Sequence, residues 1–194
     1  MKKNIFYSLR KRMWMIAILL CIGIQITKAQ ITYIQPYTIW DTITLTGDSL
    51  RFSLPTTPMQ YDTLHVRMYV SSLDSSLGLQ VHIFDSAFIN TAEPLVDSAL
   101  SQTGNDTMAA IAKLFLLTTN TNPVEYIDTT INGRRSIDIG LDYQTLATNI
   151  PTYTFIRYYL WRSRFYAFSI SGAISDLTRL TAYRDTFFNS INFQ

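Results

Sequence analysis

Three observations predict an α+β fold, with helices packed on a mostly antiparallel sheet. Segments that alternate apolar and polar residues with a period of two recur in pairs joined by short turns. A run rich in Ala, Leu and Met, Met108 to Leu117, lies between those pairs with a good capping residue, Asp106, ahead of it. A last amphipathic pattern follows Ser175. Hairpins leave apolar faces that something must cover, and these helical runs are the available covers.

The chain opens with a different kind of segment. Lys2, Lys3, Arg10, Lys11 and Arg12 form a basic head, Met13 to Ile26 is almost unbroken apolar sequence, and Thr27-Lys28-Ala29 ends it on a small residue. That is the layout of a secretory signal peptide. The apolar run of about 14 residues is shorter than the roughly 20 that a spanning helix uses, so no stable membrane anchor is expected after cleavage. Residues 1–29 therefore read as a signal peptide and 30–194 as one domain, exported to the periplasm or secreted. The single cysteine, Cys21, lies inside the apolar run. It leaves with the signal, and the mature domain has no disulfide or thiol chemistry.

Cleavage also reverses the charge. Six of the 16 Lys and Arg residues precede Gln30 and none of the 14 acids does, which leaves 10 basic against 14 acidic residues, a net charge of −4. Nucleic-acid binding is not expected of such a chain, because phosphate neutralisation needs clustered Lys and Arg.

In order, Ile39 to Thr46 reads as a strand ended by Gly47-Asp48, and Leu50 to Leu54 as a short strand stopped by Pro55 and Pro58. Leu64, Val66, Met68 and Val70 alternate with His65, Arg67 and Tyr69; Leu79, Val81 and Ile83 alternate with Gln80, His82 and Phe84. With a turn near Asp74–Ser75 these two strands form a hairpin with its apolar faces together, and His82 falls opposite Arg67. Pro94 suits the first turn of a helix through Leu95, Val96, Ala99 and Leu100, before Gly104-Asn105 interrupts it. After the Met108–Leu117 helix, Asn132-Gly133 marks a two-residue hairpin turn between Val124–Ile131 and Arg134–Tyr143. A second hairpin joins Tyr153–Trp161 to Arg164–Ser171, and Gly172 breaks the pattern. Ser175 is placed to cap a final helix, with a stripe of Leu177, Leu180, Arg184, Phe187, Phe188 and Ile191.

Four segments carry a family resemblance: Pro94-Leu95-Val96-Asp97-Ser98-Ala99, Ile131-Asn132-Gly133-Arg134-Arg135, the pair Arg157-Tyr158-Tyr159-Leu160 and Arg164-Phe165-Tyr166-Ala167-Phe168-Ser169, and Arg184 to Phe193. Together they resemble the PsbP-like proteins, small secreted proteins of bacteria among others. Leu50 to Pro58 is similar to the family's entry strand, more weakly. The resemblance covers about half of the chain and rests mostly on packing residues. It implies an α/β/α sandwich around an antiparallel sheet. It also implies little chemistry, since members of this fold include a photosystem accessory subunit and a nuclear-import factor, both non-enzymatic binding proteins. Two departures stand out. A Pro-Gly step after the Asn-Gly turn is missing, and the last hairpin turns at Arg162-Ser163, which leaves its register and turn type open.

No nucleophile elbow, phosphate-binding glycine loop or His-Glu-x-x-His motif occurs. The leading expectation is a non-enzymatic extracytoplasmic binding or accessory protein without cofactors, its partner an envelope protein or a small ligand. Its candidate interaction surface is the aromatic and basic face Arg157, Tyr159, Trp161, Arg164 and Tyr166, residue types enriched at binding hot spots. The same face suits a core position under a helix, with the arginines reaching out to the edge. The competing expectation is a metal-dependent or hydrolytic envelope enzyme, in which His65 and His82 converge with a carboxylate such as Asp85.

Overall fold

Ten strands form among the described residues, and none of their pairings is parallel. The computed structural model describes residues 40–55, 58–73, 76–91, 106–119, 123–144 and 150–194. The expected signal peptide with Cys21 and its cleavage point at Gln30, the expected turn at Asp74–Ser75 and the helix expected at Pro94 lie outside them.

The strands are β1 (Trp40–Leu45), β2 (Leu50–Pro55), β3 (Met59–Asp62), β4 (Val66–Ser72), β5 (Leu77–Phe84), β6 (Pro123–Ile131), β7 (Arg134–Gln144), β8 (Pro151–Trp161), β9 (Arg164–Ala173) and β10 (Asn192–Phe193). Helix α1 spans Ser86–Thr91, α2 Thr107–Thr119 and α3 Leu177–Asn189. Seven strands form one sheet in the order β3-β4-β5-β9-β8-β7-β6; β1, β2 and β10 form a small second sheet.

Each face of the large sheet has its own core. On one, Tyr69, Leu79, Val81, Tyr166, Phe168 and Ile170 meet β2 (Leu50, Phe52, Leu54) and α3 (Leu180, Phe187, Phe188). On the other, Val66, Met68, Phe84, Ile137, Ile139, Tyr158 and Phe165 meet α2 through Met108, Ala110, Ile111 and Ala112. The domain is thus an α+β sandwich whose sheet is covered on both sides. The cap of α2 forms as the sequence predicts, the Asp106 carboxylate accepting from the Ala109 amide at 3.1 Å. Ser190 ties α3 to the small sheet: its hydroxyl donates to Phe187 O and accepts from the Ser53 amide.

Several expectations change. Both faces of β4 are largely buried, and Leu64, read as part of its apolar stripe, is 87% exposed in the turn ahead of it. In β4–β5, Val66 pairs with Phe84 and Met68 with His82. That register differs by one residue from the one that a turn at Asp74–Ser75 would set. A one-residue shift moves every side chain to the other face, so Val66, Met68 and Val70 share a face with His82 and Phe84, not with Val81. Ser175 does not cap α3. It lies in a 3₁₀ turn, Ile174–Asp176, and Asp176 occupies the cap position without a side-chain hydrogen bond. Gly172 continues β9 rather than breaking it; a Cβ there would collide with Leu77.

Candidate functional site

The two hairpins β6–β7 and β8–β9 turn at the same end of the large sheet, because β7 and β8 pair antiparallel. Asn132 and Gly133 have φ of 52° and 74°; Arg162 and Ser163 have φ of 49° and 59°. Both are two-residue turns with left-handed backbone, which matches the right-handed strand twist. A left-handed conformation costs a residue with a side chain about 1–2 kcal/mol, and Asn or Gly least. Ser49, also of positive φ, is at this end too: it accepts a hydrogen bond from Arg162 through its hydroxyl and one from the Gln194 amide through its carbonyl.

Arginines gather around these turns. The Arg134 guanidinium lies 3.5 Å from the centroid of the Trp161 ring and donates to Phe193 O at 3.3 Å. Arg162 lies 5.5 Å from the same ring. Such contacts hold a guanidinium over an indole face without consuming its charge. Arg164 pairs with Asp48, a carboxylate only 5% exposed. Arg51 is exposed on β2 opposite Asn192, one residue from Phe193.

The five residues of the sequence-derived surface meet different fates. Tyr159 and Tyr166 are buried, with Phe193 ring centroids 5.0 and 5.3 Å away. Aromatic rows gain most from exclusion of water, and β10 supplies the ring that closes this one. Neither tyrosine can touch a partner. Arg157 is held by two hydrogen bonds to Asp138, at 2.8 and 2.7 Å, and lies over Phe188. Burial opposes its charge, and Asp138 outweighs that and raises its pKa. Trp161 and Arg164, half-buried and paired, remain at the rim. The face is thus largely core, with its accessible part shifted to the hairpin tips. The sequence reading missed Asp48, Ser49 and Arg162; the non-glycine turn at Arg162-Ser163 was the available signal.

The histidines do not converge. His82 is buried opposite Met68 and Ala167, 3.2 Å from Gln80, and burial pushes its pKa down to about 4. His65 meets Asp85 at 3.2 Å, at the start of β4. Asp85 also accepts from the Phe88 amide at 2.8 Å as the cap of α1. Burial would raise its pKa, but that amide and His65 hold it below the usual carboxylate value. Among the described residues, no group of three or more His, Cys, Asp or Glu side chains is placed to hold a metal ion. Arg135 bridges Asp128 and Asp106, tying the edge hairpin to the start of α2 and lowering both carboxylate pKa values. Among the described residues no helix is long and apolar enough to cross a membrane.

Comparison of the whole fold adds one firm likeness. The structure resembles cyanobacterial PsbP (CyanoP) from Synechocystis sp. PCC 6803, with a TM-score of 0.55 and 12% sequence identity over 84% of this chain and 98% of that one. The fold is PsbP-like. Two looser likenesses are PA94 of Pseudomonas aeruginosa, a protein of unknown function (TM-score 0.44, 8% identity, 75% of this chain and 91% of that one), and LpqN of Mycobacterium tuberculosis, involved in cell envelope biogenesis (TM-score 0.33, 9% identity, 82% and 86%). Neither defines a shared fold. No family model matches the sequence, and no curated protein does.

Proposed function

We propose that this chain is an exported binding or accessory protein that works without catalysis, and that its partner meets the hairpin-tip end of the sheet. One observation carries the reading. Arg67, Arg135, Arg157, Arg164, Arg179 and Arg184 each pair with an acid. Arg51, Arg134 and Arg162 have no acidic partner among the described residues, and all three lie at this one end. In a domain of net charge −4, a local excess of positive charge beside a half-buried tryptophan has the composition of a recognition surface. The PsbP-like fold supports the reading by analogy only, since one fold hosts many functions.

The competing enzyme reading has the His65–Asp85 contact in its favour. Against it, Asp85 is engaged as a helix cap and His82 sits in a different, buried environment.

Capture from the producing cells tests the proposal. The intact tagged protein is cross-linked in place, and its neighbours are identified by mass spectrometry beside an Arg162→Glu variant. A specific neighbour lost in that variant is the expected result. Equal recovery with both proteins would contradict the assigned surface. The N-terminus of the recovered protein tests export: it should be Gln30.

A further inference from the structure

We infer that the hairpin-tip end recognises a run of carboxylates on a partner protein, and that Arg162 is kept in its left-handed turn for this contact. The inference rests on the reading of the chain as a binding protein and names the chemistry of what is bound.

Three features point to carboxylates carried on a segment. The arginines without an acidic partner among the described residues come from three separate elements: Arg51 from β2, Arg134 from the start of β7 and Arg162 from the β8–β9 hairpin tip. The side-chain hydrogen bonds of Arg134 and Arg162 go to neutral oxygens, Phe193 O and Ser49 Oγ. Hairpin tips project, whereas small-molecule sites are concave, so this array suits an extended acidic stretch better than one enclosed anion. The Arg134 guanidinium carbon lies over Trp161, 3.5 Å from the ring centroid, and one of its N–H groups is held by Phe193 O. A guanidinium held this way presents in-plane N–H donors in the fork that carboxylates accept. The chain also contains an example of the contact at the same end: Asp48, almost fully buried, pairs with Arg164 beside Trp161.

Turn chemistry separates recognition from folding. The neighbouring tip makes the same kind of left-handed turn with Asn132 and Gly133, the residues that adopt it most readily. Arg162 and Ser163 adopt it against their preference. A tip selected only for folding would favour Asn-Gly. Arg162 instead places a third acid-free guanidinium 5.5 Å from the Trp161 ring.

The test uses a fluorescein-labelled octaglutamate peptide and the intact protein, with binding read by anisotropy at low ionic strength. Saturable binding that weakens at about 0.15 M salt is expected. The double variant Arg162→Asn with Ser163→Gly should bind about tenfold more weakly while unfolding at the same or a higher temperature. Arg134→Gln should also bind more weakly, and Arg67→Gln, whose arginine already pairs with Asp62, should bind as the parent does. Absence of peptide binding would overturn the inference, as would unchanged affinity in the double variant. Tighter binding to phosphatidylglycerol vesicles than to the peptide would overturn it as well. If a cellular neighbour is lost with Arg162→Glu but octaglutamate does not bind, the binding-protein reading stands and the acidic-segment inference falls.

Discussion

The edge hairpin β6–β7 and the central hairpin β8–β9 lie side by side, turn at the same end and share a left-handed two-residue tip, yet their sequences divide the work differently. In the edge hairpin the tip is well suited to its backbone, and the outer strand β6 is lightly covered: Val124, Tyr126 and Ile127 are all exposed. In the central hairpin the strands carry the core, with Tyr158, Phe165, Tyr166 and Phe168 buried, while the tip is ill suited to its backbone. The difference teaches where stability is held and where it is given up. A central hairpin anchored on both faces can tolerate an unfavourable turn, and its tip is free to carry a charge.

The largest effect that can break this comparison comes from the strands. Phe168 is fully buried against Phe52, Tyr159 and Phe187. Phe168→Ala should cost about 3–5 kcal/mol in urea unfolding. Ile127→Ala, at a position 45% exposed on the edge hairpin, should cost less than about 0.5 kcal/mol. Similar losses at both positions would contradict the assignment of the core to the central hairpin.

A pH dependence follows from the strand beside that hairpin. His82 pairs with Ala167 of β9, and burial lowers its pKa from 6.5 to about 4. The folded state resists protonation there, so between those values the unfolded chain binds more protons. Stability therefore falls as pH drops from about 6.5 to 4, by up to about 3 kcal/mol. His82→Gln should flatten that part of the stability profile. A parent protein equally stable at pH 4.5 and pH 7 would show that His82 is not sealed from water.

Exchanging the tips sharpens the comparison with a smaller effect. Arg and Ser in place of Asn132 and Gly133 should cost about 1–2 kcal/mol. Asn and Gly in place of Arg162 and Ser163 should gain up to about 1 kcal/mol. Thermal unfolding of both variants checks the signs, and a loss from both exchanges would show that Arg162 serves the fold.

Local signals were legible in the sequence. Asn132-Gly133 announced its turn, Asp106 its helix, and the alternation of Tyr153 to Ser171 the central hairpin, because each rests on the chemistry of adjacent residues. What stayed hidden depends on contacts distant in sequence. The β4–β5 register turns on a one-residue difference in the loop, which the alternation of either strand cannot fix. Phe193 closes over Tyr159 and Tyr166 only once β10 pairs with β2, and with it the core reading of the aromatic row holds for these two residues. Asp48 looked like part of a turn, and its burial beside Arg164 appears only when the small sheet meets the hairpin tips. The candidate surface was accordingly legible in composition, as Arg and Trp near one turn, but not in its members.

The central claim is that Arg162 is held at an unfavourable turn for recognition rather than for folding. The most direct measurement takes the variant carrying Arg162→Asn and Ser163→Gly and determines its unfolding temperature and its octaglutamate affinity in the same buffer as the parent protein. The account predicts an unfolding temperature at or above the parent's together with affinity about tenfold weaker. A variant that unfolds at a lower temperature, or one that binds the peptide as tightly as the parent, would contradict it.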